Sequence, residues 1–136
     1  EPTKVVIGDG TIIKENVTVH RGAACGDFTT RIGKKCLLMV GSHVAHNCVL
    51  DDQVILANLV TLGGHVHVGF GAFVGGMSVF HQNIRIGDMA IISGFSAYSP
   101  LLKRRRQTAC TARIKCYRNE TQRGFSGNQN SDKRSF

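Results

Sequence analysis

From Ile32 onward an aliphatic or aromatic residue returns every six positions: Ile32, Leu38, Val44, Leu50, Leu56, Leu62, Val68, Val74, Phe80, Ile86 and Ile92 keep one register. The following position is mostly small or acidic (Gly33, Ala45, Asp51, Gly63, Gly69, Gly75), and the fifth is small or β-branched (Cys36, Cys48, Val54, Val60, Ala72, Ser78). Ile7, Ile13 and Val19 carry the same pattern in a register shifted by one, which predicts about one inserted residue between 20 and 31, with Gly22–Asp27 its natural place. A six-residue period suits neither a 3.6-residue helix nor a simple hairpin meander. It suits a triangular coil in which each face is a short strand and each corner a tight turn. Three hexads make a coil of 18 residues, and successive coils pair as parallel strands about 4.8 Å apart. The repeated aliphatic points into the prism, and the small neighbour fits the corner, where glycine tolerates positive φ. Both prolines, Pro2 and Pro100, lie outside the repeat, as continuous strand pairing requires. The predicted fold is all-β, a parallel β-helix of hexapeptide repeats with about five coils over residues 4–98. The usual crossover preference does not fix its hand.

After Ser99 the period stops, and Lys103-Arg104-Arg105-Arg106 opens a polar, basic stretch. Residues 1–99 carry seven basic and seven acidic side chains, so the whole net charge of +8 belongs to residues 100–136. The chain therefore divides into a repeat domain, 1–99, and a basic tail, 100–136, expected to be disordered or a degenerate C-terminal segment. No aromatic-interleaved basic motif accompanies the tail, which argues against a nucleic-acid partner. No run reaches the roughly 18 apolar residues of a membrane helix, and no charged-then-apolar start marks a signal peptide. Glu1 in place of Met fits a segment of a longer protein. Five cysteines without a CxxC pair disfavour a disulfide framework and fit a reduced, cytoplasmic compartment.

Six histidines fall at 20, 43, 46, 65, 67 and 81. On an 18-residue coil, the hexads starting at Val44, Leu62 and Phe80 stack, which brings His46, His65 and His81 to one edge with His43 at the preceding corner. A repeat explains aliphatics but not a histidine ladder. His20 and His67 lack the alignment and read as surface residues. Imidazoles near their free pKa of about 6.5 serve as general bases, and three neutral ones can instead hold a catalytic zinc. Spacing alone leaves both open.

The flanks narrow the choice. Thr18-Val19-His20-Arg21-Gly22, Leu37-Leu38-Met39, His43-Val44-Ala45-His46-Asn47-Cys48, Leu56-Ala57-Asn58, Thr61-Leu62-Gly63-Gly64-His65-Val66, Gly75-Gly76-Met77 and Val79-Phe80-His81-Gln82 occur in that order. Together they resemble the acyl-carrier-protein:UDP-N-acetylglucosamine O-acyltransferases, which begin lipid A biosynthesis, from Glu1 to about Ser99. The resemblance implies a left-handed coil, a cytoplasmic homotrimer with sites between neighbouring prisms, and acyl-carrier protein and UDP-N-acetylglucosamine as partners. His46 is then the general base on the sugar 3-hydroxyl and Gly64 N–H the oxyanion donor for the attacked thioester. His43, His65, His81 and Gln82 position sugar and phosphates, and Gly94 occupies the position that limits acyl-chain length. No metal or other cofactor is implied.

Several positions depart from the family pattern. Asn47 replaces the usual Asp after the base, and restoring the carboxylate is expected to raise the rate. Asn83 replaces an aromatic residue, the coils that precede Glu1 in the family are absent, and so is the Asp-x-Pro-Pro segment after Ser99. Gln122–Ser126 resembles the start of the family's C-terminal helices, which makes Arg123 a candidate nucleotide contact. The alternatives are a zinc hydratase of the γ-carbonic-anhydrase type, which builds its metal site from three histidines of adjacent prisms, and an inactive fragment of the acyltransferase.

Overall fold

A computed structural model describes residues 2–99. Within them, short strands, mostly of two residues, alternate with tight corners and wind into five coils. The first face stacks Lys4–Ile7, Thr29–Ile32, Val49–Leu50, His67–Val68 and Arg85–Ile86 as a parallel sheet. The second stacks Ile12–Ile13, Leu37–Leu38, Ile55–Leu56, Phe73–Val74 and Ile91–Ile92. The third stacks Thr18–Val19, His43–Val44, Thr61–Leu62, Val79–Phe80 and Ala97–Tyr98. The predicted β-helix is therefore the observed one. No helix among the described residues is long and apolar enough to cross a membrane.

Both the recurring aliphatic and the residue two before it fill the prism. Leu38, Val44, Val54, Leu56, Val60, Leu62, Val66 and Val68 are all fully buried, and Phe80 stacks on Tyr98 with ring centroids 5.0 Å apart. Small or β-branched side chains at the fifth position follow from this, because two inward residues per face share one narrow interior.

The register corrects two expectations. From the second coil onward partners lie eighteen residues apart (Leu50 beside Val68), whereas Ile7 pairs with Ile32, twenty-five apart. The inserted segment is thus seven residues long. Seven is one hexad and one residue, so a six-residue period displays only the remainder. Second, the small residue after the aliphatic is not the positive-φ position. Positive φ falls two residues later, on Lys35, Asn47, Gln53, Leu59, His65, Met77, Asn83, Met89 and Phe95 among others, mostly side chains that bear a cost of about 1–2 kcal/mol in that region. Glycine follows the aliphatic because the next coil passes too close. A Cβ on Gly75 would lie 2.4 Å from Gly94 N, and one on Gly33 2.6 Å from the Asp51 carbonyl carbon.

The first coil continues the pattern but does not bury it. Ile7 and Ile13 are each 44% exposed, against 2% for Ile32 and 0% for Leu38, because among the described residues only the second coil packs on them. Pro100 and the whole basic tail, with Arg123, lie outside the described residues.

Candidate active site

The third face runs into a corner where the chain places most of its histidines. The register of Val44, Leu62 and Phe80 continues through that corner. His65 N–H donates to the His46 carbonyl and Asn83 N–H to that of Gly64, each at 3.1 Å. His46, Gly64 and Gln82 thereby occupy equivalent positions in three successive coils, followed by Asn47, His65 and Asn83.

His46 is half-buried, and its Nδ1 lies 2.9 Å from Asn47 Oδ1. An amide oxygen can only accept, so the hydrogen-bond network assigns the proton to Nδ1 and leaves Nε2 with a lone pair. Asn47 is itself fixed. Its N–H donates to Thr30 Oγ1 at 2.9 Å, its Oδ1 also accepts from Ala23 N–H at 2.9 Å, and its Nδ2 donates to the Ala23 carbonyl at 3.3 Å. One side chain thus orients the imidazole and clips the inserted segment against it. This bears on the Asn-for-Asp departure, because a carboxylate would lose the donor to Ala23 and set two oxygens against each other.

Gly64 is buried and faces the His46 ring. A Cβ there would lie 2.6 Å from Cε1 and 2.7 Å from Nε2 of His46, so only glycine lets the imidazole lie over this peptide. The Gly64 N–H has no acceptor among the described residues.

His65 meets His46 edge to face with ring centroids 5.3 Å apart. Its Nε2 is 3.3 Å from Sγ of Cys25, an exposed residue of the inserted segment. Beside His46, a depression of about 580 Å³ is lined by Val5, Val19, His20, Arg21, Gly22 and His46. His20 is exposed, as expected of a surface residue, and packs edge-on against His43 at 4.6 Å. His43 Nδ1 is 2.7 Å from Thr18 Oγ1. Burial, and then repulsion from His20, lower the His43 pKa below the ordinary 6.5. A lowered histidine pKa means that the folded form resists protonation, so this contribution to stability is intact above 6.5 and is lost as pH falls through the folded value. In an NMR titration the His43 ring should change charge below the ordinary histidine value of 6.5; a midpoint above 6.5 would contradict the burial argument.

Other expected site residues stay apart. His81 and Gln82 are exposed and reach this corner by register, without a ring contact to the other histidines. Gly94 stands at a different corner, where a Cβ would lie 3.0 Å from the Gly76 carbonyl oxygen. His67 pairs with Asp51 at 3.0 Å on the first face. Cys36 and Cys48 are buried in the prism. Burial raises both thiols, Cys48 to about 11, with its Sγ donating to the Gly63 carbonyl at 3.0 Å. They are packing groups rather than nucleophiles.

The geometry can be set beside known proteins. No protein-family model matches the chain. An acyl-[acyl-carrier-protein]–UDP-N-acetylglucosamine O-acyltransferase of Campylobacter concisus is 44% identical over 97 residues, which are 71% of this chain and 37% of that protein. The structure of UDP-N-acetylglucosamine acyltransferase from Campylobacter jejuni superposes with a TM-score of 0.69 at 44% identity, covering 70% of this chain and 38% of that one. The UDP-N-acetylglucosamine O-acyltransferase of Moraxella catarrhalis gives 0.70 at 44%, covering 71% and 38%. The chain therefore spans less than two fifths of the length of these relatives. The coil is left-handed, as in those structures. By sequence and by fold, the repeat body matches a segment of the UDP-N-acetylglucosamine O-acyltransferases.

Proposed function

We propose that the repeat domain, residues 1–99, transfers a 3-hydroxyacyl group from acyl-carrier protein to the 3-hydroxyl of UDP-N-acetylglucosamine, the first step of lipid A biosynthesis, in the cytoplasm. The observation that carries this is the His46–Asn47 pair, which holds Nδ1 protonated and frees Nε2 beside the Gly64 peptide. A sugar hydroxyl is a poor nucleophile at neutral pH. His46 Nε2 takes its proton as the oxygen attacks the thioester carbonyl. Gly64 N–H donates to the oxyanion of the tetrahedral intermediate, a preorganised donor in a site half shielded from water. Collapse breaks the carbon–sulfur bond, and the imidazolium returns the proton to the departing carrier thiol. His43, His65, His81 and Gln82 orient the sugar and its phosphates, with Arg123 of the tail a further contact to the nucleotide.

The active form is a homotrimer. Leu59, Met77 and Phe95 occupy one corner in successive coils at 52%, 49% and 80% exposure, an apolar ridge that a second prism would cover. Gly94 lies nearly three coils beyond the base and at another corner, and a cleft between two chains can bring such corners together. As glycine it leaves room for a longer acyl chain. The test combines sedimentation with a transfer assay using 3-hydroxyacyl-carrier protein, UDP-N-acetylglucosamine and a chelator. A trimer with chelator-resistant turnover is expected. A monomer that turns over would remove the shared site, and a trimer without turnover would remove the activity.

A further inference from the structure

We propose that Cys25, His46 and His65 form a binding site for a soft divalent cation, zinc foremost, and that occupation of this site switches off the base. The seven-residue insertion returns Cys25 to a histidine forty positions away, with Sγ 3.3 Å from His65 Nε2. Gly26 makes the approach possible, since a Cβ there would lie 2.7 Å from Asn47 Nδ2 and 3.4 Å from His65 Cε1. The ligand atoms of Cys25, His46 and His65 all lie within 4.8 Å of one another. Tetrahedral zinc, with bonds of about 2.0 Å to nitrogen and about 2.3 Å to sulfur, needs its donors about 3.3–3.5 Å apart. The Cys25–His65 pair already meets that distance, and a ligand atom of His46 lies within 4.8 Å of both.

The donor set selects the metal. One thiolate and two imidazoles, with no carboxylate, suit zinc, cobalt or copper and not magnesium or calcium. Asn47 Oδ1, by accepting from His46 Nδ1, presents Nε2 as a ligand in the same way that it presents it as a base, the outer-shell contact typical of metal-bound histidines. Three protein ligands leave a fourth position for water. Binding a metal through a thiolate releases a proton, so affinity falls as pH falls. A metal on His46 Nε2 holds the lone pair that proton abstraction requires. That consequence rests on the acyl-transfer reading; the binding itself does not.

The experiment titrates the full chain with Co²⁺ under a phosphine reductant, followed by competition with Zn²⁺. One cobalt per chain is expected, with a near-ultraviolet thiolate-to-cobalt charge-transfer band and the visible bands of a four-coordinate ion, all displaced by zinc. Cys25→Ser should abolish the charge-transfer band, and His65→Ala should weaken zinc binding at least tenfold, both with unchanged far-ultraviolet circular dichroism. A band that survives Cys25→Ser would place the thiolate elsewhere and overturn the site, as would cobalt binding without a thiolate band or no binding at all. In the transfer assay, zinc that silences the wild type should leave Cys25→Ser more active at the same free metal. Equal inhibition of the two would overturn the switch. Absent turnover in both would sink the acyl-transfer reading, while the spectra still decide the metal site.

Discussion

His46→Ala is expected to lower acyl transfer by roughly 10²–10⁴-fold, the span that a positioned general base contributes, while UDP-N-acetylglucosamine binding stays near the wild-type value. The expectation follows from where the side chain sits. His46 is only half-buried and its ring packs over the Gly64 peptide, so its removal opens space at the surface of a corner and leaves the prism intact. Asn47 loses one contact and keeps those to Ala23 and Thr30. Turnover should be measured with chelator present and sugar-nucleotide binding by calorimetry. A rate within twofold of wild type would deny His46 the role of base. Asn47→Asp is less simple than the sequence suggests. A carboxylate supports the imidazolium better than an amide, but here it also breaks the clip to the inserted segment. Its effect is the difference of two terms.

The fold was legible because burial in this architecture is periodic in the chain itself. Leu38, Leu56 and Val74 stack one above another, and that spatial column is also a spacing of eighteen residues in the sequence. The same property hid the insertion, whose seven residues leave a trace of one in a six-residue period. His46, Gly64 and His65 could be read as neighbours because the repeat itself aligns them. Cys25 and His20 could not. Cys25 lies on a segment outside the repeat, and its approach to His65 depends on Gly26 and on the Asn47–Ala23 hydrogen bonds. His20 meets His43 across the register offset that the insertion creates, twenty-five residues instead of eighteen. Positive φ at Leu59 or Met77 was equally hidden, since neither is a residue that favours it.

Leu56→Asp should abolish cooperative folding of the body. Leu56 is fully buried in the third coil, between Leu38 and Val74. Truncating a buried leucine costs about 2–5 kcal/mol, and an unpaired carboxylate in the same place adds several more. A domain has only about 5–15 kcal/mol in total. Met89→Asp is the matched control. Met89 is 44% exposed at a corner with φ of 53°, a backbone conformation that aspartate adopts more readily than methionine, so the change should stay within about 1 kcal/mol. Thermal unfolding followed by circular dichroism separates them, with a cooperative melt for Met89→Asp and none for Leu56→Asp. A cooperative melt in Leu56→Asp within a few degrees of wild type would contradict the inward placement of the repeat.

Because each coil is hydrogen-bonded only to the coils before and after it, the body behaves as a short one-dimensional chain of coupled units and not as a single block. Among the described residues the first coil has the weakest grip, with Ile7 and Ile13 each 44% exposed. Fraying therefore starts there and travels inward. It would first dissolve the wall of Val5, Val19 and His20 beside the base, then loosen the loop that carries Cys25, while His46 and Gly64 stay locked in the coils behind. In this protein the proposed reacting groups and the pocket walls beside them occupy different rungs of stability.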